Sequence, residues 1–368
     1  MTGVRPFVEG DIPQVADLLW KYLHVRDGSA SPGLGAYLRE LFFQNPWADE
    51  GIVTRVFENR DGRIVAFFGA VPRRMRFQGR SIRLAFGSNL VVDPNARTSM
   101  AAIQLVKAFM KGTQDVSITD SATDGSRQLL RSLGFSVVPV YSLYWARPLR
   151  PFLYGLHAVS SLQKSRVTAT MASISRPFCA VGDALAGRIV LNPFRQARPT
   201  TTEDELGVPT LIKCLETIPG KHLLLPEYDQ ASLTWVLDFI SSRKAFGDIR
   251  KVLVRDEGGD ILGWYIYSAI AGGVGNVLQL GSKSSSMDRV LAHLFHDAAS
   301  HGLIGLEGRL EPQFMEELSR RACPFFRSRS WTLVHSKQSE LVDLFQSGAA
   351  LFSRLEGEWC LRPGVEIS

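Results

Sequence analysis

The sequence predicts an α/β protein with mixed sheets, made of two similar units in tandem. Three observations carry this reading: a length of 368 residues, about twice that of an ordinary domain; a strand–helix order that occurs twice; and a gapless internal repeat. The composition is compatible. With 45% hydrophobic and 21% charged residues the chain can pack a core, which excludes the disordered and fibrous classes.

In the first half, residues 4–8 read as a strand leading into Asp11-Ile12-Pro13-Gln14, a helix start where Asp11 caps, Gln14 reaches back and Pro13 sits in the first turn. Ile12, Val15, Leu18, Leu19 and Tyr22 then recur at helical spacing. A second helix carrying Leu34, Tyr37, Leu38, Leu41 and Phe42 stops at Asn45-Pro46, because the residue before a proline resists helical dihedrals. Residues 53–58 and 64–69 flank Asn59-Arg60-Asp61-Gly62 and predict a β-hairpin, since Asp-Gly accepts positive φ. Another strand pair surrounds Gln78-Gly79 and ends at 86–92. After Asp93-Pro94-Asn95-Ala96-Arg97 come a helix with Ala101, Leu105, Val106 and Phe109 on one face, a strand at 115–119, and a helix at 124–133 closed by Gly134. A final strand pair is expected over 135–144.

The second half repeats this order. Val254-Arg255-Asp256-Glu257-Gly258-Gly259-Asp260-Ile261-Leu262-Gly263-Trp264-Tyr265 aligns without gaps on residues 57–68. Downstream, a strand at 277–280, a Ser-rich turn, a helix with Val290, Leu291, Leu294, Phe295 and Ala298, and a strand at 304–307 mirror residues 90–130. The expected domains are therefore 1–148 and 206–368, joined by a basic, partly helical connector at 149–205. That connector mixes Arg150, Lys164, Arg166, Arg176 and Arg188 with apolar residues. Such a segment suits weak contact with an anionic membrane surface; packing between the domains is the expectation.

Lys and Arg exceed Asp and Glu by 42 to 36, a surplus that favours small anionic partners and is too small for a nucleic-acid surface. The N-terminal residues have no apolar core followed by small residues, and no uncharged apolar run reaches membrane-spanning length. The four cysteines, Cys179, Cys214, Cys323 and Cys360, are widely spaced, which speaks against a zinc site and a disulfide framework. A cytoplasmic location is expected, and no transmembrane segment.

The strand ending at Val92, the turn Val92-x-Pro94-x-x-Arg97, and the helix, strand and helix that lead to Leu133-Gly134-Phe135 resemble the GNAT superfamily of acyl-CoA N-acyltransferases. The resemblance spans most of residues 1–146. It implies a turn of the form Arg/Gln-x-x-Gly-x-Gly/Ala after the fourth strand, whose backbone amides at a helix N-terminus hold the coenzyme A pyrophosphate. Carried over residue by residue, it assigns Leu90, Val91, Val92, Arg97, Thr98, Ser99, Met100, Ala101 and Ala102 to binding acetyl-CoA or another acyl-CoA as cosubstrate. The family's central glycine is Met100 here, a side chain that crowds a phosphate, while Thr98 and Ser99 add hydroxyl donors.

The family's tyrosine four residues before the Gly-Phe pair is replaced by Leu130, and no carboxylate lies between Phe86 and Val92, so neither catalytic role is carried over. Position in the fold offers Asp120 as base and Tyr141 or Tyr144 as acid. In the second half the turn at 281–286, Gly-Ser-Lys-Ser-Ser-Ser, lacks the arginine and reads as cofactor-poor; the pairing resembles peptidoglycan aminoacyl transferases and two-domain acyltransferases. His293, His296 and Asp297 are expected to be solvated helix residues and no metal is expected. Arg73, Arg74, Arg76, Arg80 and Arg83 are expected on a solvated strand face, with an anionic acceptor or the cofactor's adenosine phosphate as the alternative, Trp47 and Trp264 in the core, with stacking on a sugar or ring as the alternative, and the two carboxylates of residues 353–359 in a pocket between the domains or paired with one another. The resulting expectation is an acyl-CoA-dependent N-acyltransferase, most simply an N-acetyltransferase, acting on an amine of a small molecule, amino sugar or aminoacyl compound. The alternatives are a non-catalytic binding or regulatory protein on the same fold and aminoacyl transfer from tRNA.

Overall fold

The computed structural model describes residues 3–24, 32–95, 99–162, 166–189, 192–218, 220–283, 285–327 and 330–363. In chain order, the first half contributes β1 (Gly3–Pro6), α1 (Ile12–His24), α2 (Pro32–Phe43), β2 (Arg55–Glu58), β3 (Ile64–Phe77), β4 (Arg80–Val92), α3 (Ser99–Met110), β5 (Val116–Ala122), α4 (Asp124–Ser132), β6 (Ser136–Val137) and β7 (Leu143–Pro148). Then follow α5 (Pro151–Leu162), α6 (Arg166–Ala186), β8 (Thr202–Glu205), α7 (Val208–Thr217), β9 (Leu224–Pro226) and α8 (Gln230–Ser241). The remainder comprises β10 (Asp248–Arg255), β11 (Ile261–Ala269), β12 (Val274–Ser282), α9 (Met287–Ser300), β13 (Gly305–Arg309), α10 (Met315–Arg320), β14 (Phe325–Arg327), β15 (Trp331–Ser336) and α11 (Ser339–Gln346).

These elements form two compact units, neither of them continuous in sequence. The first gathers residues 1–142, 222–245 and 328–368; the second gathers 143–221 and 246–327. The first holds a sheet in the order β1-β2-β3-β4-β5-β15-β6 with β9 added to β3, and the second a sheet in the order β14-β7-β13-β12-β11-β10-β8. Both are mixed: β4–β5 and β12–β13 are parallel and the other pairs antiparallel. A parallel neighbour requires a crossover, and α3 and α9 supply it.

The last strand of each half has changed sheets. The expected strand pair over 135–144 leaves only Ser136–Val137 in the first sheet, where it pairs with β15. β7 lies instead between β13 and β14 of the second sheet, and β15 lies between β5 and β6 of the first. Hydrophobic alternation marks a strand but carries no address for its partner, so the sequence reading set β7 beside its neighbour in the chain. The sequence divisions at 148 and 205 accordingly differ from the compact units. The connector is no separate body either: α5, α6 and β8 belong to the second unit, and β8 pairs with β10.

The internal repeat is reproduced in atomic detail. In β2–β3 the register shifts between Phe57 and Glu58, and in β10–β11 between Val254 and Arg255, the aligned position. Asn59 Oδ1 accepts from the amides of Asp61 (3.0 Å) and Arg63 (2.9 Å), and Asp256 Oδ1 accepts from those of Gly258 (3.0 Å) and Asp260 (2.9 Å). Each unit packs a helix on its sheet: Ala101, Leu105, Val106 and Phe109 of α3 against Phe57, Val65 and Phe68 in the first, and Val290, Leu291, Leu294 and Phe295 of α9 against Tyr265, Val277 and Leu306 in the second.

Candidate functional site

The first sheet opens where its parallel strands part. Leu84, Ala85 and Phe86 of β4 pair with Val116, Ser117 and Ile118 of β5, and there the pairing ends. β4 runs on to Val92 against β3, and β5 runs on to Ala122 against β15. Among the described residues, the β5-facing edge of β4 therefore has no strand partner beyond Phe86. A bulge adds to the divergence: the β3–β4 register shifts opposite Asn89, whose φ of 55° lies in the left-handed region that asparagine tolerates. The Asn89 side-chain amide donates to the Tyr37 hydroxyl (3.1 Å), which itself donates to the carbonyl of Leu361 (3.0 Å).

The end of the chain fills the other side of this split. Residues 350–358 are all buried. Ser353 and Glu356 tie the segment into a turn, the Ser353 amide donating to Glu356 Oε2 (3.0 Å), and Phe352 stacks on Phe86 at 5.9 Å between ring centroids. A short 3-10 turn, Glu358–Leu361, follows Gly357 and directs Glu358 at β5.

Glu358 Oε2 accepts four hydrogen bonds from β5: Thr119 Oγ1 (2.8 Å), the Asp120 amide (2.9 Å), and the amide and hydroxyl of Ser121 (3.2 and 3.0 Å). A register shift between Trp331 and Leu333 places an extra residue on β5 at this point, which lets consecutive amides reach one acceptor. In return the Glu358 amide donates to Asp120 Oδ1 (3.1 Å). Two carboxyl groups thus share a buried site. Burial and then the neighbouring Asp120 charge push the Glu358 carboxyl well above the usual carboxylate range, against which the hydrogen bonds from Asp120 N and Thr119 act in the opposite sense.

A buried cation stands at the same terminal turn. Arg73 is 5% exposed, lies over the Trp47 ring at 4.4 Å and donates from Nη2 to Cys360 Sγ at 3.6 Å. Among the described residues its Nε and Nη1 have no hydrogen-bond partner. Nearby the Tyr228 hydroxyl donates to Glu356 Oε1 (3.1 Å), and burial pushes the Cys360 thiol up to about 12.

Of the catalytic candidates named from sequence, Asp120 lies in this site. Tyr141 is fully buried, its hydroxyl donating to the carbonyl of Ala350 and its ring against Phe345 and Phe352, so it acts as packing. Tyr144 is on β7 in the second unit, where its hydroxyl accepts from Arg309 (3.4 Å). The structure therefore does not bring the two tyrosines to Asp120 as a set. Among the cofactor positions, Leu90, Val91 and Val92 line the open stretch of β4, with Leu90 and Val92 packed on the α3 core. Ser99 opens α3, Met100 exposes its side chain, Ala101 is buried and Ala102 half-buried. Arg97 and Thr98 lie outside the described residues.

Tyr37 and Asn89 carry no signal in the sequence that points to this place, whereas Arg73 and the carboxylates of 353–359 do. The 353–359 stretch had signalled buried chemistry by its paired carboxylates, but its partners are 238 positions away in sequence. Arg73, expected on a solvated face, is interior. Arg83 pairs with Asp49 (2.5 Å). In the second unit, His293 bonds Thr201 (2.7 Å) and Glu203 (3.1 Å), while Asp297 accepts from Tyr265, Tyr267 and Arg250 at 3.0, 3.0 and 3.1 Å, so these residues form a buried network in place of a solvated face.

Comparison with known proteins agrees with this architecture. No protein-family model matches the chain, and no curated protein matches it in sequence. Solved structures do. A probable N-acyltransferase from Enterococcus faecalis superimposes with a TM-score of 0.59 at 11% identity, covering 91% of this chain and 73% of that one. A GCN5-related N-acetyltransferase from Anabaena variabilis gives 0.59 at 11% identity over 92% and 74%. N-myristoyltransferase of Saccharomyces cerevisiae, solved with bound myristoyl-CoA, gives 0.51 at 11% identity over 90% and 77%. The chain thus has the fold of the GNAT acyltransferases, and it carries that fold twice.

Proposed function

We propose that this protein transfers the acyl group of an acyl-CoA to an amine in its first unit, with the Asp120–Glu358 pair taking the proton that the ammonium must lose. One observation carries the reading: among the described residues the edge of β4 beyond Phe86 has no strand partner, and the buried pair of Asp120 on β5 and Glu358 beside it lies at the same split. A base that works near neutral pH must be ionised when the ammonium arrives and still basic enough to hold the proton it takes, and a carboxyl raised toward neutral pH by burial beside a second carboxyl combines the two. The backbone of Leu90, Val91 and Val92 offers an extended chain such as pantetheine the hydrogen-bonding groups that a strand partner would use. The start of α3 is where the resemblance puts the pyrophosphate, with Ser99 opening the helix and the exposed Met100 in place of the family's glycine.

In the transfer, the amine nitrogen bonds to the thioester carbonyl carbon, the carbon–sulfur bond breaks, and the amine proton passes to the Asp120–Glu358 pair. The pair then hands that proton to the departing thiolate, while the Tyr37 hydroxyl, which donates to the Leu361 carbonyl and accepts from Asn89, holds the bulge that opens β4. The open donors of Arg73 suit an acceptor that carries an anionic group beside its amine, such as an amino acid, aminoacyl compound or acidic amino sugar. Acetyl-CoA is the simplest donor.

The test is release of free thiol from acyl-CoA in the presence of an amine panel, together with thermal unfolding with and without acyl-CoA. Glu358→Gln is expected to lower turnover by about 100-fold or more while keeping the stabilisation by acyl-CoA; Tyr37→Phe should lower turnover less. Unchanged turnover in Glu358→Gln would remove the base, and no stabilisation of the wild type by millimolar acyl-CoA would remove the donor. The second reading, a non-catalytic binding protein, is favoured by the tying of the Tyr141 hydroxyl to Ala350 and would be selected by acyl-CoA binding without turnover.

A further inference from the structure

The helices α5 and α6 form a hairpin within the second unit that the proposed chemistry does not use. Asp183 of α6 accepts from the amides of Phe152 (2.9 Å) and Leu153 (3.0 Å), capping the first turn of α5, and Gly182 lies against the Phe152 ring. The two helices are therefore fastened to each other. Yet α6 leaves Met171, Ile174, Phe178, Val181 and Leu185 exposed, Phe178 at 75%. Their spacing of three, four, three and four residues puts all five on one stripe of the helix. Phe152 and Val159 of α5 are exposed as well. Scattered apolar residues on a surface are ordinary, but a continuous stripe of this size marks an interaction.

Charge identifies the occupant. Residues 149–200 contain seven Lys and Arg (Arg150, Lys164, Arg166, Arg176, Arg188, Arg195 and Arg198) against the single acidic Asp183, whose carboxylate is spent on the α5 cap. A second copy would bring the same positive charge against itself, whereas a surface of anionic lipid offers apolar depth for the stripe and negative charge for the arginines at once. Among the described residues no helix is long and apolar enough to cross a membrane, and α6 contains Arg176, Pro177 and Asp183, so the hairpin is suited to lying on a bilayer and not to spanning one.

We infer that the α5–α6 hairpin docks the protein on a membrane surface rich in anionic lipid. The experiment is co-sedimentation of the full chain with vesicles of phosphatidylcholine, with and without roughly a quarter phosphatidylglycerol. Binding to the anionic vesicles is expected to exceed binding to the neutral ones by about tenfold and to fall in high salt. The double variant Ile174→Asp with Phe178→Asp, both at exposed positions, should lose that binding by about tenfold while its thermal unfolding stays that of the wild type. Equal binding to both vesicle types, or unaltered binding of a folded double variant, would overturn the inference. Concentration-dependent dimerisation in sedimentation equilibrium that the double variant abolishes would assign the stripe to a second copy instead and overturn it too.

Discussion

Glu358 is a residue whose chemistry is set by its surroundings. In an unfolded chain a glutamate titrates near about 4.3; in the first unit, burial and Asp120 hold its proton to higher pH. Above about 4.3 the folded state therefore binds more protons than the unfolded state, and the free energy of unfolding falls as pH rises toward the raised value. The slope from this group reaches at most about 1.4 kcal/mol per pH unit. Urea unfolding across that window should show the decline in the wild type and a flatter profile in Glu358→Gln, whose side chain cannot ionise; parallel profiles would contradict the assignment. Gln14 makes a related point. Expected to reach back to its own helix cap, it instead accepts from the amide of Ile64 (3.1 Å), while Asp11 pairs with Arg5 (2.7 Å) and accepts from Val8 (3.0 Å). A polar side chain was legible as a hydrogen-bonding residue, but its partner was chosen by what folding brought near.

At the scale of elements, the reading succeeded where the rule is local. Asp61-Gly62 and Gly258-Gly259 were read as hairpin turns, and Gly62 and Gly259 have φ of 78° and 88°. Gly134 closes α4 at φ 100°. A Cβ added at Gly62 or Gly259 would meet nothing within 4 Å, so any cost of alanine there is conformational and not steric crowding by neighbours. Gly62→Ala should destabilise by about 1–2 kcal/mol, the left-handed penalty of an L-residue, with an unchanged denaturant slope. A loss under about 0.5 kcal/mol would show that the turn relaxes to another type. The same local logic located β7 and β15 as strands and failed to say which sheet each joins, since that depends on edges hundreds of residues apart.

For the whole molecule, the exchange of β7 and β15 makes each unit depend on the other half of the chain. Among the described residues β6 pairs with β15 alone, and β5 has β15 along its length as antiparallel partner, with Leu333 and Val334 fully buried. A fragment of residues 1–148 would lack β15 and the 350–361 segment, leaving an open sheet edge and an unfilled core beside Phe86. It is expected to show no cooperative thermal transition and no dispersed amide spectrum, in contrast to the full chain; a cooperatively folding fragment would refute the interdependence. Such an arrangement also requires distant segments to meet before either sheet closes, which slows folding relative to two independent domains.

By itself the sequence determined the α/β class, the duplication, the hairpins with their turns, and the strand–turn–helix that resembles an acyl-CoA phosphate loop. These follow from periodicity, turn stereochemistry and local spacing, which act over a few residues. Only the tertiary structure decided that the terminal strands trade sheets, that Arg73 is interior, and that Glu358 meets Asp120 across most of the chain. Those outcomes rest on which edges and cavities remain open once the sheets form, and open edges and cavities are properties of the assembled backbone.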